Sequence, residues 1–280
     1  YAVFTIGAIS LAAFLARFAL FTFRESPRFL VAHGRDAEAV HVVQAIARTN
    51  GRPCSLRIED LAACECPESG PARSRRWEVV RHVAELFATR RMARLTLLTW
   101  AVYAGDYWGF SIAGAFLPKL LAQRGAKARL STAATYRQYI WTALPGVPGV
   151  LLGAALIEVP ALGRRWALVL TSAAMGAALT SFVSIRTPRA SVALNAVEYF
   201  FQSAFNAVLY GWTPEAFPAR VRGSAAGLAS CIGRIASIVA PLVAARAGAA
   251  TTGLYLAGGG VFLASVLCVF LPDTRRREVL

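Results

Sequence analysis

Tyr210-Gly211-Trp212-Thr213-Pro214-Glu215-Ala216-Phe217-Pro218-Ala219-Arg220-Val221-Arg222-Gly223 joins two long apolar runs. Ser191–Trp212 leads into it and Ser224–Ala245 leads out. A hydrocarbon core of about 30 Å takes roughly 20 apolar helical residues, so each run is long enough to cross a bilayer. The joint itself is polar, with Glu215, Arg220 and Arg222 gathered at one helix end. Working outward, five further runs qualify as spans: Ala2–Phe23, Leu95–Leu117, Thr135–Ile157, Trp166–Ile185 and Thr252–Leu271. They are too long for barrel strands and lack period-2 alternation, so they read as helices. The expectation is an all-α membrane protein with seven transmembrane helices.

Composition points the same way. The 280 residues are 56% hydrophobic and 16% charged, with a mean hydropathy of +0.50. An average soluble domain is roughly 45–50% apolar and about 25% charged. A soluble enzyme, a disordered tail and a secreted disulfide scaffold all fit poorly. The net charge of +15 would suggest nucleic acid in a soluble protein. Membrane proteins instead place Arg and Lys on their cytoplasmic loops. With the polar segment 24–94 inside the cell, about 20 of the 30 Lys and Arg fall on the inside, among them Arg164, Arg165, Arg220, Arg222 and Arg275–Arg277. Lys119, Arg124, Lys127 and Arg129 fall outside. The expected partner of the charge is therefore the lipid bilayer and not nucleic acid.

The segment 24–94 contains two amphipathic pieces. Asp36–Thr49 has Ala39, Val40, Val43 and Ile46–Ala47 on one face, Asp36 as an expected cap and Gly51 just past its end. Ser74–Arg94 carries Trp77, Val80, Val83, Ala84 and Phe87 on one side and arginines on the other, the pattern of a helix lying on an anionic membrane surface. Between them, 52–71 reads as a flexible linker. Cys64-Glu65-Cys66 in that linker lacks the second ligand pair of a zinc site, so no metal and no cofactor is expected. The Gly and Pro residues at 145–149, with Gly153, Gly223, Gly227, Gly233 and Gly258–Gly260, favour close helix contacts and kinks. None follows a strand, so none makes a phosphate loop. The chain opens at Tyr1 inside an apolar run, has no Met before Met92 and shows no basic region in front. It reads as a fragment whose upstream sequence is missing.

Seven spans admit a seven-helix receptor or rhodopsin. Retinal chemistry needs a Lys in the last helix, and Thr252–Leu271 has none. Four motifs then decide. Glu25-Ser26-Pro27-Arg28-Phe29-Leu30 is followed by Gly34-Arg35-Asp36-Ala37-Glu38-Ala39; Glu158 precedes Gly163-Arg164-Arg165; Pro214-Glu215 leads to Phe217-Pro218 and Arg222-Gly223; and Leu271-Pro272-Asp273-Thr274 closes the last span. In this order, each at a cytoplasmic helix end, they resemble the motifs of the major facilitator superfamily, in its sugar-porter-like and organic-ion-transporter-like branches. The resemblance implies that the chain is the carboxyl-terminal half of a twelve-helix fold. Residues 1–23 are then the sixth helix, 24–94 the cytoplasmic linker, 95–271 the C-terminal six-helix bundle and 272–280 a cytoplasmic tail, and the N-terminal half of the same protein is a missing partner.

Polar groups inside a bilayer are costly and mark function. At 1.5 Å per residue, Asp106, Glu198 and Arg234 lie about 11, 7 and 10 residues into their spans, near the midplane. They are expected to face the interior and each other. Asn195, Glu198, Gln202 and Asn206 follow steps of three, four and four and share one helix face. Tyr199 flanks it. Thr99, Tyr103, Asp106 and Phe110 share a face in the same way, with Tyr107 and Trp108 beside it. The resemblance puts both faces on the central cavity. Tyr103, Asp106, Tyr107, Asn195, Glu198, Gln202 and Asn206 are therefore the expected substrate-binding residues. Asp106, Glu198 and Arg234 are the expected proton-coupling groups, because a carboxylate in a dry cavity keeps its proton until a cation approaches. Glu25, Arg28, Arg164, Arg165, Glu215 and Arg222 are the expected cytoplasmic gate. The function expected is secondary transport of a small polar solute, a sugar or an organic ion, by alternating access, without enzymatic chemistry. The alternative is a receptor-like or interaction protein that uses the same fold and moves nothing.

Overall fold

The computed structural model describes residues 2–20, 24–32, 34–62, 81, 83–125, 137, 140–159, 162–184, 187–218, 221–248 and 250–272. Among them there are ten helices and no strand: α1 (Ala2–Leu20), α2 (Pro27–Ala32), α3 (Asp36–Thr49), α4 (Ile58–Ala62), α5 (Arg90–Gly125), α6 (Gly146–Glu158), α7 (Gly163–Ser184), α8 (Pro188–Ala216), α9 (Arg222–Arg246) and α10 (Ala250–Val269). They fall into two compact units, Tyr1–Ser74 and Arg75–Leu280. The expected linker 24–94 straddles that division.

In the first unit, α3 has the expected bounds and buries Ala39 and Val40. Its start differs from expectation. Arg35, not Asp36, holds the cap position, and no side chain caps there. Arg35 instead reaches along the first turn to Glu38, with Nε to Oε1 at 2.8 Å and Nη2 to Oε2 at 2.5 Å. At the other end Gly51 takes φ +64°. Its N–H and that of Arg52 donate to the carbonyls of Arg48 and Ala47, which closes the helix with a left-handed residue.

In the second unit, four stretches are long and apolar enough to cross a membrane: Ile140–Glu158, Gly163–Ser184, Arg222–Arg246 and Thr251–Val269. Gly7–Phe18 in α1 is a shorter apolar helix. Among the described residues the architecture is thus all-helical, with several helices of membrane-spanning length and composition. Two of the expected spans lie on α5 and α8, whose polar and aromatic residues dilute their apolar character. The 36 residues of α5 extend about 54 Å, well beyond one bilayer core.

The expected amphipathic helix over 74–94 is broken where it is described. Residues 86–89 form a turn, and the Thr89 hydroxyl accepts the Met92 N–H at 3.2 Å, starting α5 afresh. Leu86, outside the expected stripe, is fully buried, and its carbonyl accepts the Thr96 hydroxyl. Residues 74–80, with Trp77 and Val80, lie outside the described residues, as do Cys64, Cys66 and Arg275–Arg277.

The helices pack in the order α9, α5, α10, α7, α8, α6. Small residues set the close approaches. A Cβ at Gly153 of α6 meets the Ala204 carbonyl of α8 at 2.6 Å, and one at Gly146 meets Tyr199 and Ser203. Gly105 of α5 sits against Gly260 and Ala264 of α10. Gly258 packs on Thr180 and Gly260 on Trp108, while Gly223 and Gly227 touch no neighbour. Pro241 inside α9 cannot donate to the carbonyl four residues back, at Ser237. The Ser111 hydroxyl of α5 fills that role at 2.6 Å. At the base, Trp212 is fully buried and its indole N–H donates to the Pro272 carbonyl, so the end of α10 is tied to α8.

Candidate functional site

α5 and α8 touch only lightly, and a cavity of about 430 Å³ opens beside their contact. Asp106, Tyr107 and Phe110 line it from α5, Val150 from α6, and Tyr199, Gln202, Ser203, Asn206, Ala207 and Tyr210 from α8. Asp106 is 2% exposed, and its Oδ1 has no hydrogen-bond partner. Glu198, one turn away from Gln202, is 4% exposed, and its Oε1 is without a hydrogen-bond partner among the described residues. The Asn206 Oδ1 is likewise buried and unpartnered. A buried polar atom without a partner costs about 1–3 kcal/mol. Asp106 and Asn206 line the cavity, while these particular oxygens are enclosed behind its surface.

The tyrosines form its frame. The Tyr107 and Tyr210 hydroxyls meet at 3.1 Å. Behind them Tyr103 stacks on Tyr107 with ring centroids 6.5 Å apart and hydrogen-bonds Thr213 at 3.1 Å. The Thr213 hydroxyl donates to the Leu209 carbonyl at 2.7 Å, so Tyr103 is the donor in its pair. Tyr103 is therefore a support of the wall rather than part of its surface.

Of the expected substrate residues, Asp106, Tyr107, Gln202 and Asn206 share the cavity lining. Glu198 is buried near it, and Asn195 lies half-buried outside it. Arg234 is exposed on α9 and forms no ion pair with Asp106 or Glu198 among the described residues. Trp108 turns away toward α10 and donates to the Leu256 carbonyl. Tyr210 and Ser203 were not singled out from sequence. Their signal was present: Tyr210 is four residues past Asn206 and Ser203 four past Tyr199, so each extends a face already read. Among the described residues no three His, Cys, Asp or Glu side chains gather into a metal group.

The second cluster sits where Glu215 ends α8. The Arg164 Nε is 2.6 Å from Glu215 Oε2 and its Nη2 donates to Oε1 at 2.9 Å, a two-bond fork. Local sequence builds this corner. Pro218 forces the preceding Phe217 out of helix, to φ −112° and ψ 147°, which stops α8 just past Glu215. Pro160 does the same to Val159, at φ −64° and ψ 119°. Gly163 with φ +60° then opens α7, so Arg164 emerges at its first turn. Arg165 lies 5.3 Å over the Trp166 ring. The Nε atoms of Arg165 and Arg222 are buried without hydrogen-bond partners. Glu25 is exposed in the other unit; the Arg28 side chain and Arg220 lie outside the described residues.

Comparison with known families decides the class. Residues 3–279 match the family model for Sugar (and other) transporter. The chain belongs to this family. It is 36% identical to MFS siderochrome iron transporter 1 of Ceriporiopsis subvermispora, over 97% of this chain and 54% of that protein. It is 33% identical to the Major facilitator-type transporter hxnZ of Emericella nidulans, over 97% and 52%. It is 29% identical to the Niacin transporter NiaP of Acinetobacter baylyi, over 78% and 46%. The transporter chain thus spans about half the length of the curated relatives it matches, and it is not an enzyme.

Proposed function

We propose that the transporter chain is the carboxyl-terminal half, helices six to twelve, of a secondary active transporter. It carries a small polar solute by alternating access, coupled to protons, together with an N-terminal half of the same protein. All seven expected spans belong to this reading, including those on α1, α5 and α8. The observation that carries it is Asp106: a carboxylate almost wholly enclosed, with an unpartnered oxygen, at the wall of a 430 Å³ cavity in an apolar helical bundle. Such a group is retained inside a membrane where it serves transport. Asp106 and Glu198 act as the proton and solute groups, and Arg234 reaches them only in another state of the cycle.

Alternating access is rocking of one bundle against the other about a central site. The Arg164–Glu215 fork acts in closing the cytoplasmic side, with Arg165 and Arg222 offering further donors and Glu25 and Arg28 contributing from the linker. The relatives' names, which span a siderochrome, niacin and organic cations, support a small-molecule solute. The test is gradient-driven uptake by the full-length protein in proteoliposomes. Asp106→Asn and Glu198→Gln each lower it by about tenfold or more under this reading. Uptake at the unsubstituted rate in both would sink the proposal. Uptake that still follows pH in Asp106→Asn removes Asp106 from the proton role.

A further inference from the structure

We propose that Tyr103 is a positioning residue: its hydrogen bond to Thr213 latches the end of α8 and so sets where Glu215 meets Arg164. The inference rests on the transporter reading above. Two of the long helices contain an internal proline, Pro214 in α8 and Pro241 in α9. Such a proline leaves the carbonyl four residues back without its backbone donor and weakens the helix there. At Pro241 the loss is made good, because the Ser111 hydroxyl donates to the Ser237 carbonyl. At Pro214 the freed carbonyl is that of Tyr210, and no side chain among the described residues donates to it. α9 is braced at its proline and α8 is not. The unbraced point falls between Tyr210 of the cavity wall and Glu215 of the fork.

Tyr103 holds the end of α8 in place of that brace. α5 and α8 touch only lightly, yet two hydroxyl contacts cross between them, Tyr107 with Tyr210 and Tyr103 with Thr213, each at 3.1 Å. Thr213 immediately precedes Pro214. Its hydroxyl donates back to the Leu209 carbonyl, a bond that favours bending, and accepts from Tyr103. Both partners are enclosed, Tyr103 at 2% and Thr213 at 1% exposure, so breaking the bond strands buried hydroxyls. Trp212 fixes the turn before the bend, through its bond to the Pro272 carbonyl. Movement beyond it is then borne by residues 213–216. The Tyr103 ring lies 6.5 Å from Tyr107 and 6.0 Å from Tyr210, so a shift of either ring reaches the latch and, through it, the fork.

The test reads cytoplasmic accessibility of the full-length protein in inside-out vesicles. Ser203, on the cavity wall, is replaced as Ser203→Cys in a background free of other reactive cysteines and labelled with a membrane-impermeant maleimide. Tyr103→Phe keeps the ring and removes the hydroxyl. It is expected to raise the labelling rate about three- to tenfold, the worth of one net hydrogen bond. Thr213→Val is expected to do the same, and the double variant no more than either single, since both break one bond. Thr213→Ser keeps a hydroxyl and is expected to label at the unsubstituted rate. Unchanged labelling in Tyr103→Phe overturns the latch, whether or not the melting temperature falls, and this variant decides alone if Thr213→Val misfolds. Single effects that multiply in the double variant overturn the pairing. A rise of the same size with Pro214→Ala in place overturns the bend as its pivot. Gradient-driven uptake is measured on the same proteins. Uptake by the unsubstituted protein, with labelling unmoved in Tyr103→Phe, overturns the latch and leaves the transporter reading standing. Labelling that responds as expected in a protein without uptake supports the latch and counts against transport.

Discussion

One helix, α8, carries two glutamates in opposite circumstances. Glu198 is buried, with an oxygen that meets no donor. Glu215, about 25 Å further along the axis at 1.5 Å per residue, is 43% exposed and clasped by Arg164. The second is inexpensive: a forked pair in contact with water adds up to about 1 kcal/mol and costs little to assemble. The first is a liability for folding, since no described residue hydrogen-bonds its Oε1 to offset the desolvation. Folding alone explains Glu215 as a fastener between α7 and α8. It does not explain Glu198 or Asp106, which make sense only if something else supplies the missing partner.

The difference can be broken at its strongest point first. Asp106→Asn or Glu198→Gln should lower uptake by about tenfold or more, a loss of at least roughly 1.4 kcal/mol of charge-dependent binding, while the melting temperature stays level or rises. Uptake and melting temperature falling together would make the two carboxylates structural and erase the contrast. Next in size is the close contact of α6 with α8. Gly153→Leu drives a side chain into the Ala204 backbone and should destabilise by about 1–3 kcal/mol, read as a lower detergent melting temperature. Ser111→Ala strips the Ser237 carbonyl of its donor beside Pro241 and should cost about 1–2 kcal/mol by the same measurement. Glu215→Gln should cost no more than about 1 kcal/mol in stability, yet raise cysteine labelling from the cytoplasmic side. Unchanged labelling would leave the fork as a fastener only.

The same contrast explains what could be read from residues alone. The membrane class, the helix α3 and both polar faces were legible, because 3.6-residue periodicity and apolar run length survive without tertiary knowledge. The composition that makes a cavity works against its own detection. α5 and α8 carry Asp106, Glu198 and four of the eight tyrosines, so they are less apolar than α6, α7, α9 and α10, which fit a simple span. Direction around a helix was not legible. Arg234 was expected to meet the carboxylates and is instead exposed on α9, because a residue's rotation about α9 depends on which neighbours α9 packs against. Leu86 and the turn after it were hidden for a similar reason. Nothing local announces that Thr89 will cap a new helix rather than continue an old one.

The smallest expected effect belongs to the other unit. Arg35 and Glu38 form a pair as short as the Arg164–Glu215 fork, but both side chains are about half-exposed. The hydrogen bond and charge of Glu38 hold the Arg35 guanidinium above its usual value, with a lesser push from Glu25. The hydrogen bond from Arg35 holds the Glu38 carboxyl below its own. A lowered carboxyl contributes stability that is complete above the ordinary carboxylate range, near 4.3, and that is lost as pH falls through the lowered value. The raised guanidinium adds nothing to this window, because it stays charged throughout. The protection of the Ala39 and Val40 amides against exchange, taken relative to the intrinsic exchange rate at each pH, should therefore fall slightly on acidification below about pH 4 in the unsubstituted protein, and in Glu38→Gln it should be the same on both sides of that range. A response to acid that persists in Glu38→Gln would remove the Arg35–Glu38 pair as its source.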